Sequence, residues 1–453
     1  MRPARTGTGW SDQFEYMILV GAAAHRGKDA MKSFYIRLAA VGIVAIMTLP
    51  AMAAGKVCNA RTFGAKADGV TKDTQAIQDA IDSCAAAGGG TVELSGGTFL
   101  SAPITLKSNI TLHIANGSTL LGSSDHADYP RITEFRAPGT QALVSATDAE
   151  HVSITGAGTI DGAGASWWVE ARAQHDAGIV GKGDFRPRLV VFDHCKHVRL
   201  EGVTIQNSPS WQVVPYYSDD VIIRNVRVLA PQHSPNTDAI DPFSSSNMVI
   251  DHVYADVGDD DIAIKSGLIN SPGPDSPSKN ITITDCQFMH GHGLSIGSEI
   301  AGGAQNIHAE RIHFKDTDNG IRIKANRDRG NDVSNISFKD ITMEGVKTSI
   351  LISEYYPKTL PGKDVAAMPV QRLTPHFHDI TIENLKSVDS AWAGVIIGLP
   401  EAPVKNVVLK NVHIQAKKGM TIAYATVTGT NVNITAAEGK GITVDPTATV
   451  SIQ

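Results

Sequence analysis

The 453-residue sequence has few charged residues, few cysteines and few aromatic residues. Only 19% of the residues are charged and 42% are hydrophobic, which excludes disorder as the general state of the chain. The formal net charge of −6 argues against nucleic acid as the main partner. The four cysteines lack CxxC or any other metal-ligand spacing, so we expect no metal and no cofactor.

The N-terminal region lacks an apolar run long enough to span a membrane comfortably. A short basic region at Met31 and Lys32 precedes an apolar run from Leu38 to Met47 and then small residues up to Ala54, which is typical of a signal peptide. Ten apolar residues make a membrane anchor the weaker interpretation. Loss of the first 54 residues would change the formal charge to about −9. We expect a mis-assigned N-terminal extension (1–30), a signal peptide (31–54) and a single domain (55–453), secreted or periplasmic.

The cysteines fit an exported protein only loosely. Cys58 and Cys84 lie near the start of the mature chain and could form a disulfide there. Cys195 and Cys286 lie in apolar, strand-like runs, where a free cysteine is usually buried.

An internal repeat is the main structural signal. A polar turn residue is followed by apolar residues one, three and six positions later, and this alternation is a strand pattern. Asparagine, aspartate and histidine are the non-glycine residues that best tolerate a left-handed turn. The repeat starts at eleven landmarks: Asn109, His151, His197, Asp220, Asn247, Asn280, Asn306, Asn335, Asp379, Asn406 and Asn431.

The spacing of the repeat predicts an all-β, right-handed parallel β-helix. Most intervals are 23–33 residues with short strands, which is too short for a unit with a crossover helix but fits one coil of a solenoid. The three longer intervals, near 45 residues, predict coils with extended loops. One apolar face in the segment from Asp73 to Ala87 predicts a short helix that caps the N-terminal end, and we expect no other helix.

Polar clusters interrupt four consecutive coils. We number each residue by its offset, which is its distance in sequence from the landmark of its own coil. By this count Asp260 occupies the same position as Gly293, and Asp238 the same position as Lys324, so we expect these clusters to stack on one face within roughly 20 Å. The clusters are Asn236-Thr237-Asp238, Gly258-Asp259-Asp260, Gly291-His292-Gly293 and Arg322-Ile323-Lys324, followed by Tyr355-Tyr356.

Stacked carboxylates beside cations predict acid–base chemistry on an acidic substrate. Mutual repulsion leaves one carboxyl group protonated as an acid while others act as bases, which is what glycosidic hydrolysis needs. Arginine and lysine would bind a sugar carboxylate. Each cluster alone is better explained by a solvated turn, a turn histidine or an exposed strand face, and only their joint spacing favours a site. For Trp167, Trp168 and Trp211 we prefer packing to sugar stacking.

These four motifs, in this order, resemble glycoside hydrolase family 28, the polygalacturonases. The resemblance begins at Phe63-Gly64-Ala65 and extends through Asn207-Ser208-Pro209 to Tyr356, nearly the whole mature chain. It implies a secreted hydrolase that cleaves α-1,4 bonds of polygalacturonate with inversion, acting as a monomer on an acidic polysaccharide. Endo and exo action are both compatible with the motifs.

The resemblance also implies roles for individual residues. Asp259 would be the general acid, Asp238 and Asp260 would hold and deprotonate water, and His292 would position or tune the acid. Ala239, where glycine is frequent, and Asp261, an added acidic residue, are small departures. The implied substrate-binding residues are Asn236, Arg322, Lys324 and Tyr356, with Tyr355 as the alternative tyrosine.

Three other functions compete with this interpretation. A pectate lyase also uses a parallel β-helix on acidic pectin, but it abstracts a proton with a basic residue and generally binds Ca²⁺. A hydrolase of substituted pectin, such as xylogalacturonan or rhamnogalacturonan, would share the fold. A non-catalytic β-helix adhesin would have no need to stack three aspartates beside His292, Arg322 and Lys324.

Overall fold

The structure, a computed structural model, describes residues 55–179, 185–360 and 365–453. The proposed extension and signal peptide, residues 1–54, lie outside the described residues. Within the described ranges, no helix is long and apolar enough to cross a membrane.

Three parallel sheets run along the chain, as predicted for a parallel β-helix. Sheet 1 contains Lys56–Asn59, Gly90–Leu94, Ile110–Ile114, Ser153–Gly156, Lys196–Glu201, Asp219–Arg224, Ser246–Asp251 and Ser278–Thr284. Sheet 2 contains Asp68–Lys72, Thr98–Ser101, Thr119–Gly122, Thr159–Asp161, Thr204–Gln206, Arg227–Leu229, Tyr254–Asp256 and Gln287–Met289. Sheet 3 contains Ile104–Leu106, Val144–Thr147, Val190–Asp193, Val213–Tyr216, Ile262–Ile264, Leu294–Ile296, Asn319–Lys324 and Thr348–Ser353.

Toward the C-terminus the strands lengthen and turn the corners between sheets. Two of them, Ala304–Lys315 and Asp332–Glu344, belong to sheets 1 and 2. Three others extend through all three sheets: His376–Ile397, Val404–Ala423 and Ala425–Val444. The last strand is Thr449–Ile452.

The landmark residues adopt the left-handed backbone conformation that the repeat predicts. All eleven have φ between 51° and 62°. The side-chain amides of consecutive asparagines in this series also form a ladder along the solenoid, in which Asn335 donates to Asn306 (2.7 Å) and Asn306 donates to Asn280 (3.0 Å). The placement of Asn431 in this series was wrong, because its side chain donates to Asn411 (3.0 Å) in a second left-handed column at another corner.

The interior of the solenoid is filled by inward-facing aliphatic and aromatic side chains. Each sheet alternates buried and outward positions, so one continuous hydrophobic core extends from the N-terminal cap to the last coils. Aligned residues of neighbouring coils stack on each other; Phe288 and Phe314, for example, pair in register with ring centroids 5.4 Å apart. Cys195 and Cys286 are free and buried in this core, as expected.

The extended loops fall in the three long intervals, as predicted. The first contains an antiparallel hairpin, Arg131–Glu134 with Ala137–Thr140, and in the third the described residues 354–360 and 365–375 form neither helix nor strand. The second contains a helix, α2 (Ala165–Asp176), so the expectation of a single helix was wrong. Helix α2 buries only Trp167 and Ala171. Because so few of its positions are buried, its sequence shows no helical period of apolar residues.

The predicted capping helix, α1 (Thr74–Ala86), closes the N-terminal end of the solenoid. Its buried face consists of Ile77, Ala80, Ile81 and Cys84, and it packs on the first strands of sheet 1. Gly88, with φ of 94°, follows its end. Cys84 forms a disulfide with Cys58, so α1 is covalently attached to the first strand. The described residues also include two single-turn 3-10 helices, Ala60–Phe63 and His126–Asp128.

Removal of the disulfide is expected to destabilise this cap. The double substitution Cys58→Ala/Cys84→Ala should lower the free energy of unfolding by about 3 kcal/mol, because the bridge closes a loop with a sequence separation of 26. Urea unfolding in non-reducing buffer measures the loss. In reducing buffer the wild type should lose a similar amount, and equal stability of the oxidised wild type and the variant would contradict the prediction.

Candidate active site

The register of sheet 3 brings the predicted carboxylates and His292 together on its outer side. Ile240 pairs with Ile262, and Ile262 pairs with Leu294. Asp238, Asp260 and His292, each two residues before those positions, therefore share one column on adjacent coils. The predicted offsets were wrong: Asp260 is level with His292 rather than Gly293, and Asp238 is level with Asp260 rather than Lys324. Offsets from the landmarks fail because the turns between sheets differ in length from coil to coil.

Asp260 is buried beneath two cations of a single strand, Asn319–Lys324, which lies two coils further along the solenoid. Its oxygens accept hydrogen bonds from Lys324 Nζ at 2.7 Å, Ser295 Oγ at 2.7 Å and Arg322 Nη1 at 3.2 Å. Its side chain is only 2% exposed. Burial acts to raise the pKa of Asp260, but the charges of Lys324 and Arg322 hold the pKa below its ordinary value. Asp260 is therefore a fixed carboxylate.

Asp259 is the most accessible of the three carboxylates. Its side chain is 21% exposed, against 4% for Asp238 and 2% for Asp260. Its Oδ1 is 2.9 Å from His292 Nδ1, and its Oδ2 accepts a longer hydrogen bond from Asn236 Nδ2 at 3.5 Å. Burial opposes ionisation, but the hydrogen bond from His292 lowers the pKa of Asp259 below its ordinary value.

Protonation is therefore favoured on His292 and Asp238 rather than on Asp259. Burial acts to lower the pKa of His292, but the hydrogen bond and charge of Asp259 raise it above 6.5. Burial and the charges of Asp259 and Asp241 raise the pKa of Asp238 well above its ordinary value, against the attraction of Lys265. Oδ1 of Asp238 has no hydrogen-bond partner in the described structure.

A buried ammonium behind the site was missed in the sequence. Lys265 Nζ lies 3.7 Å from Asp238, 3.6 Å from Asp241 and 3.7 Å from Glu299, and its side chain is 6% exposed. The ring of Trp211 lies 4.9 Å from the same ammonium. A lysine directly after the buried run Ile262–Ile264 was the available signal, since a charge in such a run needs partners.

Asp241 and Asp261 are also buried, but in different surroundings. Burial raises the pKa of Asp241 to about 7 against the attraction of Lys265, and neither of its oxygens has a hydrogen-bond partner among the described residues. Asp261 accepts a hydrogen bond from Gly293 N at 3.0 Å. Its carboxyl group has a pKa raised well above the ordinary value by burial, and it is fully buried rather than part of the accessible site.

Tyr356 rather than Tyr355 lies with the cations. The Tyr356 ring centroid is 5.4 Å from Lys324 Nζ and 5.9 Å from the Arg322 guanidinium carbon. Arg329, which the motifs did not include, is 5.6 Å from the same ring. Tyr355 instead packs against an apolar cluster around Leu351, Val395, Ile397 and Ala423.

A cavity of about 600 Å³ opens beside Asn236 and Asp259. Helix α2 contributes part of its wall, through Arg172 and neighbouring residues, and Trp211 contributes another part. Trp167 packs instead on His126 with ring centroids 3.5 Å apart, which agrees with the preference for packing. The cavity gives a sugar chain access to the exposed carboxylate.

Among the described residues, two sets of side chains each present three possible metal ligands within 4.8 Å of one another: Asp259, Asp260 and His292, and on the surface Asp251, His252 and Asp285. In the first set the Asp260 oxygens already bind lysine, arginine and serine. A cation there would have to displace those partners, so the site fits acid–base chemistry by its own side chains better than it fits a metal.

A parallel β-helix that carries a cavity-lining aspartate, two buried aspartates, a histidine and paired cations has the acid–base groups of a glycosidase. The sequence model described as Glycosyl hydrolases family 28 matches residues 79–438. The chain belongs to this family, as the resemblance of its motifs indicated.

Relatives of known name agree with the family. A probable polygalacturonase of Vitis vinifera is 32% identical over 375 residues, covering 78% of this chain and 74% of that protein. An endo-polygalacturonase of Pectobacterium carotovorum subsp. carotovorum is 32% identical over 381 residues, covering 80% and 89%. The structure of a hyperthermoactive exopolygalacturonase from Thermotoga maritima aligns with a TM-score of 0.73 and 29% identity, covering 85% of this chain and 93% of that one.

Proposed function

We propose that this glycosidase hydrolyses α-1,4-galacturonosidic bonds of polygalacturonate with inversion at the anomeric carbon. The observation that carries the proposal is the position of Asp259, an accessible carboxylate on a cavity wall, beside a buried Asp260 that is neutralised by Lys324 and Arg322. The polygalacturonases among its relatives support the same substrate.

In this mechanism Asp259 donates a proton to the glycosidic oxygen as the bond from that oxygen to the anomeric carbon breaks. A water molecule held by Asp238 and Asp260 attacks the anomeric carbon from the opposite side, and its proton passes to Asp238. The products are a new reducing end and a new non-reducing end, and no covalent intermediate forms.

The proton of Asp259 must come from a neighbour, because its pKa is low in the free protein. His292 Nδ1 lies 2.9 Å away and has a raised pKa, so it is positioned to supply that proton. A sugar carboxylate entering the site adds negative charge, which raises the proton affinity of Asp259 and favours the transfer.

The cations divide between binding and support. Arg322 has a side chain 17% exposed and a planar fork suited to a sugar carboxylate. Lys324 is 6% exposed and its ammonium contacts Asp260, so it mainly fixes that carboxylate. Tyr356 would pack against the sugar bound by Arg322, and Asn236 would orient the same sugar beside Asp259.

Incubation with de-esterified polygalacturonate tests the proposal. Reducing ends should appear without new ultraviolet absorbance and without inhibition by a chelator. Absorbance from a new double bond, lost on chelation, would instead identify a lyase. Release of reducing ends only from xylogalacturonan or rhamnogalacturonan would identify a hydrolase of substituted pectin.

The pH dependence of hydrolysis should report Asp238 and His292. Asp238 must be ionised to accept a proton from water, and its pKa is raised, so kcat/KM should rise with pH through a midpoint above that of an ordinary aspartate. At higher pH, loss of the His292 proton above 6.5 should lower the rate. Steady-state kinetics between pH 3 and 9 measure both limbs.

A substitution near Asp238 checks that assignment. Asp241→Asn removes a carboxyl group whose negative charge raises the pKa of Asp238. Because Asp241 has a pKa of about 7 and is only partly ionised below that pH, the acid limb should move to lower pH by less than roughly one unit. Asp220→Asn, on the exposed face of sheet 1, should leave the profile in place. A shift toward higher pH in Asp241→Asn would be incompatible with Asp238 as the base.

We also propose that the mature protein is exported and acts as a monomer on an extracellular or periplasmic acidic polysaccharide. The Cys58–Cys84 disulfide supports an oxidising compartment. Size-exclusion chromatography of the mature domain, and detection of the protein outside the cytoplasm of its host, test the two parts of this proposal separately.

A further inference from the structure

The outer face of sheet 3 continues past the carboxylates toward the C-terminus. Asn319 pairs with Thr348, Thr348 with Trp392, and Trp392 with Lys418. The same register places His292 one coil before Asn319. With neighbouring coils about 4.8 Å apart, Trp392 lies roughly 14 Å and Lys418 roughly 19 Å along the solenoid from His292.

These residues point outward. Ser349 and Ala393, which follow Thr348 and Trp392, are fully buried, so the alternation of the strand directs Thr348 and Trp392 to the outer side. Lys418 is exposed and Trp392 is half-buried. The column of His292 therefore ends in an accessible aromatic ring and an ammonium group.

A cavity of about 460 Å³ lies at this end of the column. Trp392, Lys418 and Lys440 line it together with the hydroxyl-bearing residues Thr421 and Thr443. Its volume is within the range of about 300–1,000 Å³ that is common for small-molecule sites. An aromatic ring, hydroxyl groups and ammonium groups are the groups that bind a sugar acid.

The charges of the cavity favour an anion. Glu438 also lines it, but its carboxylate is paired with Lys417 at 3.5 Å. Lys418 and Lys440 are exposed, and among the described residues neither has a carboxylate partner within 4.0 Å. Two uncompensated ammonium groups therefore lie beside Trp392.

We propose that Trp392, Lys418 and Lys440 form a distal site that binds a galacturonate unit of the polysaccharide whose cleavage occurs at Asp259. This inference rests on the proposed function. The ring of Trp392 stacks on the apolar face of the sugar, and the ammonium groups bind its carboxylate. Only a chain that spans roughly 14 Å from His292 reaches the distal site, so it adds affinity for polymers and not for short oligomers.

Kinetics on two chain lengths test the distal site. For Trp392→Ala and for Lys418→Glu, the ratio of kcat/KM on polygalacturonate to kcat/KM on trigalacturonate should fall about fivefold, through a higher KM on the polymer. Lys410→Glu is the matched control, because Lys410 is an exposed lysine of the same strand, Val404–Ala423, on another face. Its ratio should equal that of the wild type.

Binding provides a second readout that does not depend on catalysis. In an Asp259→Asn background, retardation in a gel containing polygalacturonate should weaken when Trp392→Ala is added and should not change with Lys410→Glu. Unchanged retardation, or equal losses on polymer and trimer, would overturn the distal site. A wild type that binds polygalacturonate at the distal site but releases no reducing ends would instead overturn the proposed function.

Discussion

Asp259→Asn is expected to lower kcat on polygalacturonate by roughly 10²–10⁴-fold while the protein remains folded. The amide cannot protonate the leaving oxygen, and loss of a positioned general acid has an effect of that size. Asp259 is partly exposed and its main partner is His292, so the exchange should change stability little. Reducing-sugar release measures activity, and circular dichroism with urea unfolding measures the fold.

The leaving group discriminates the acid from the base. On an aryl galacturonide whose phenolate leaves without protonation, Asp259→Asn should recover much of its activity, whereas Asp238→Asn should not. If Asp238→Asn recovered activity instead, Asp238 would be the acid and Asp259 the base. The raised pKa of Asp238 is the reason to test this alternative. Asp256→Asn, which removes a surface carboxylate bound to His290, is the matched control and should retain activity within about twofold.

The repeat could be predicted because it reflects a steric requirement. A left-handed residue is needed at one corner of every coil, and side chains such as those of Asn280 and Asn306 both tolerate this conformation and bond to each other. The sequence therefore contains the period directly. Asn431 was assigned to the wrong corner because both corners use the same residue types and the last coils are short.

The members of the active site could be predicted, but their exact alignment could not. Asp238, Asp260 and His292 stand out as polar residues within an apolar repeat, whereas their register depends on turn lengths that vary between coils. Lys265 and Asp241 were missed for another reason. In the sequence each is a single charged residue next to apolar residues, and only the packing of three coils shows that the two side chains meet. Helix α2 was missed because it packs on loops and not on the core.

Lys265→Met should destabilise the protein by roughly 3–5 kcal/mol at pH 7, because it leaves the buried Asp238 and Asp241 and the partly buried Glu299 without their shared cation. Lys265 faces Asp238, Asp241 and Glu299, with Asp260 further away and the ring of Trp211 beside it. Its own pKa is raised well above the ordinary value by these carboxylates, against the effect of burial. Urea unfolding at fixed pH measures the loss.

The loss of stability caused by Lys265→Met should also increase with pH. Without the ammonium group the buried carboxyl groups have folded pKa values above their unfolded ones, so their contribution to stability is fully present below about pH 4 and is lost as the pH rises from there through the folded pKa values. In the wild type, Lys265 holds the pKa of Glu299 below its ordinary value against burial, which stabilises the fold above about pH 4. The stability difference between wild type and Lys265→Met should therefore be smaller at pH 4 than at pH 7, and adding Asp241→Asn should restore part of it. A difference that is independent of pH and unaffected by Asp241→Asn would mean that Lys265 acts through packing alone.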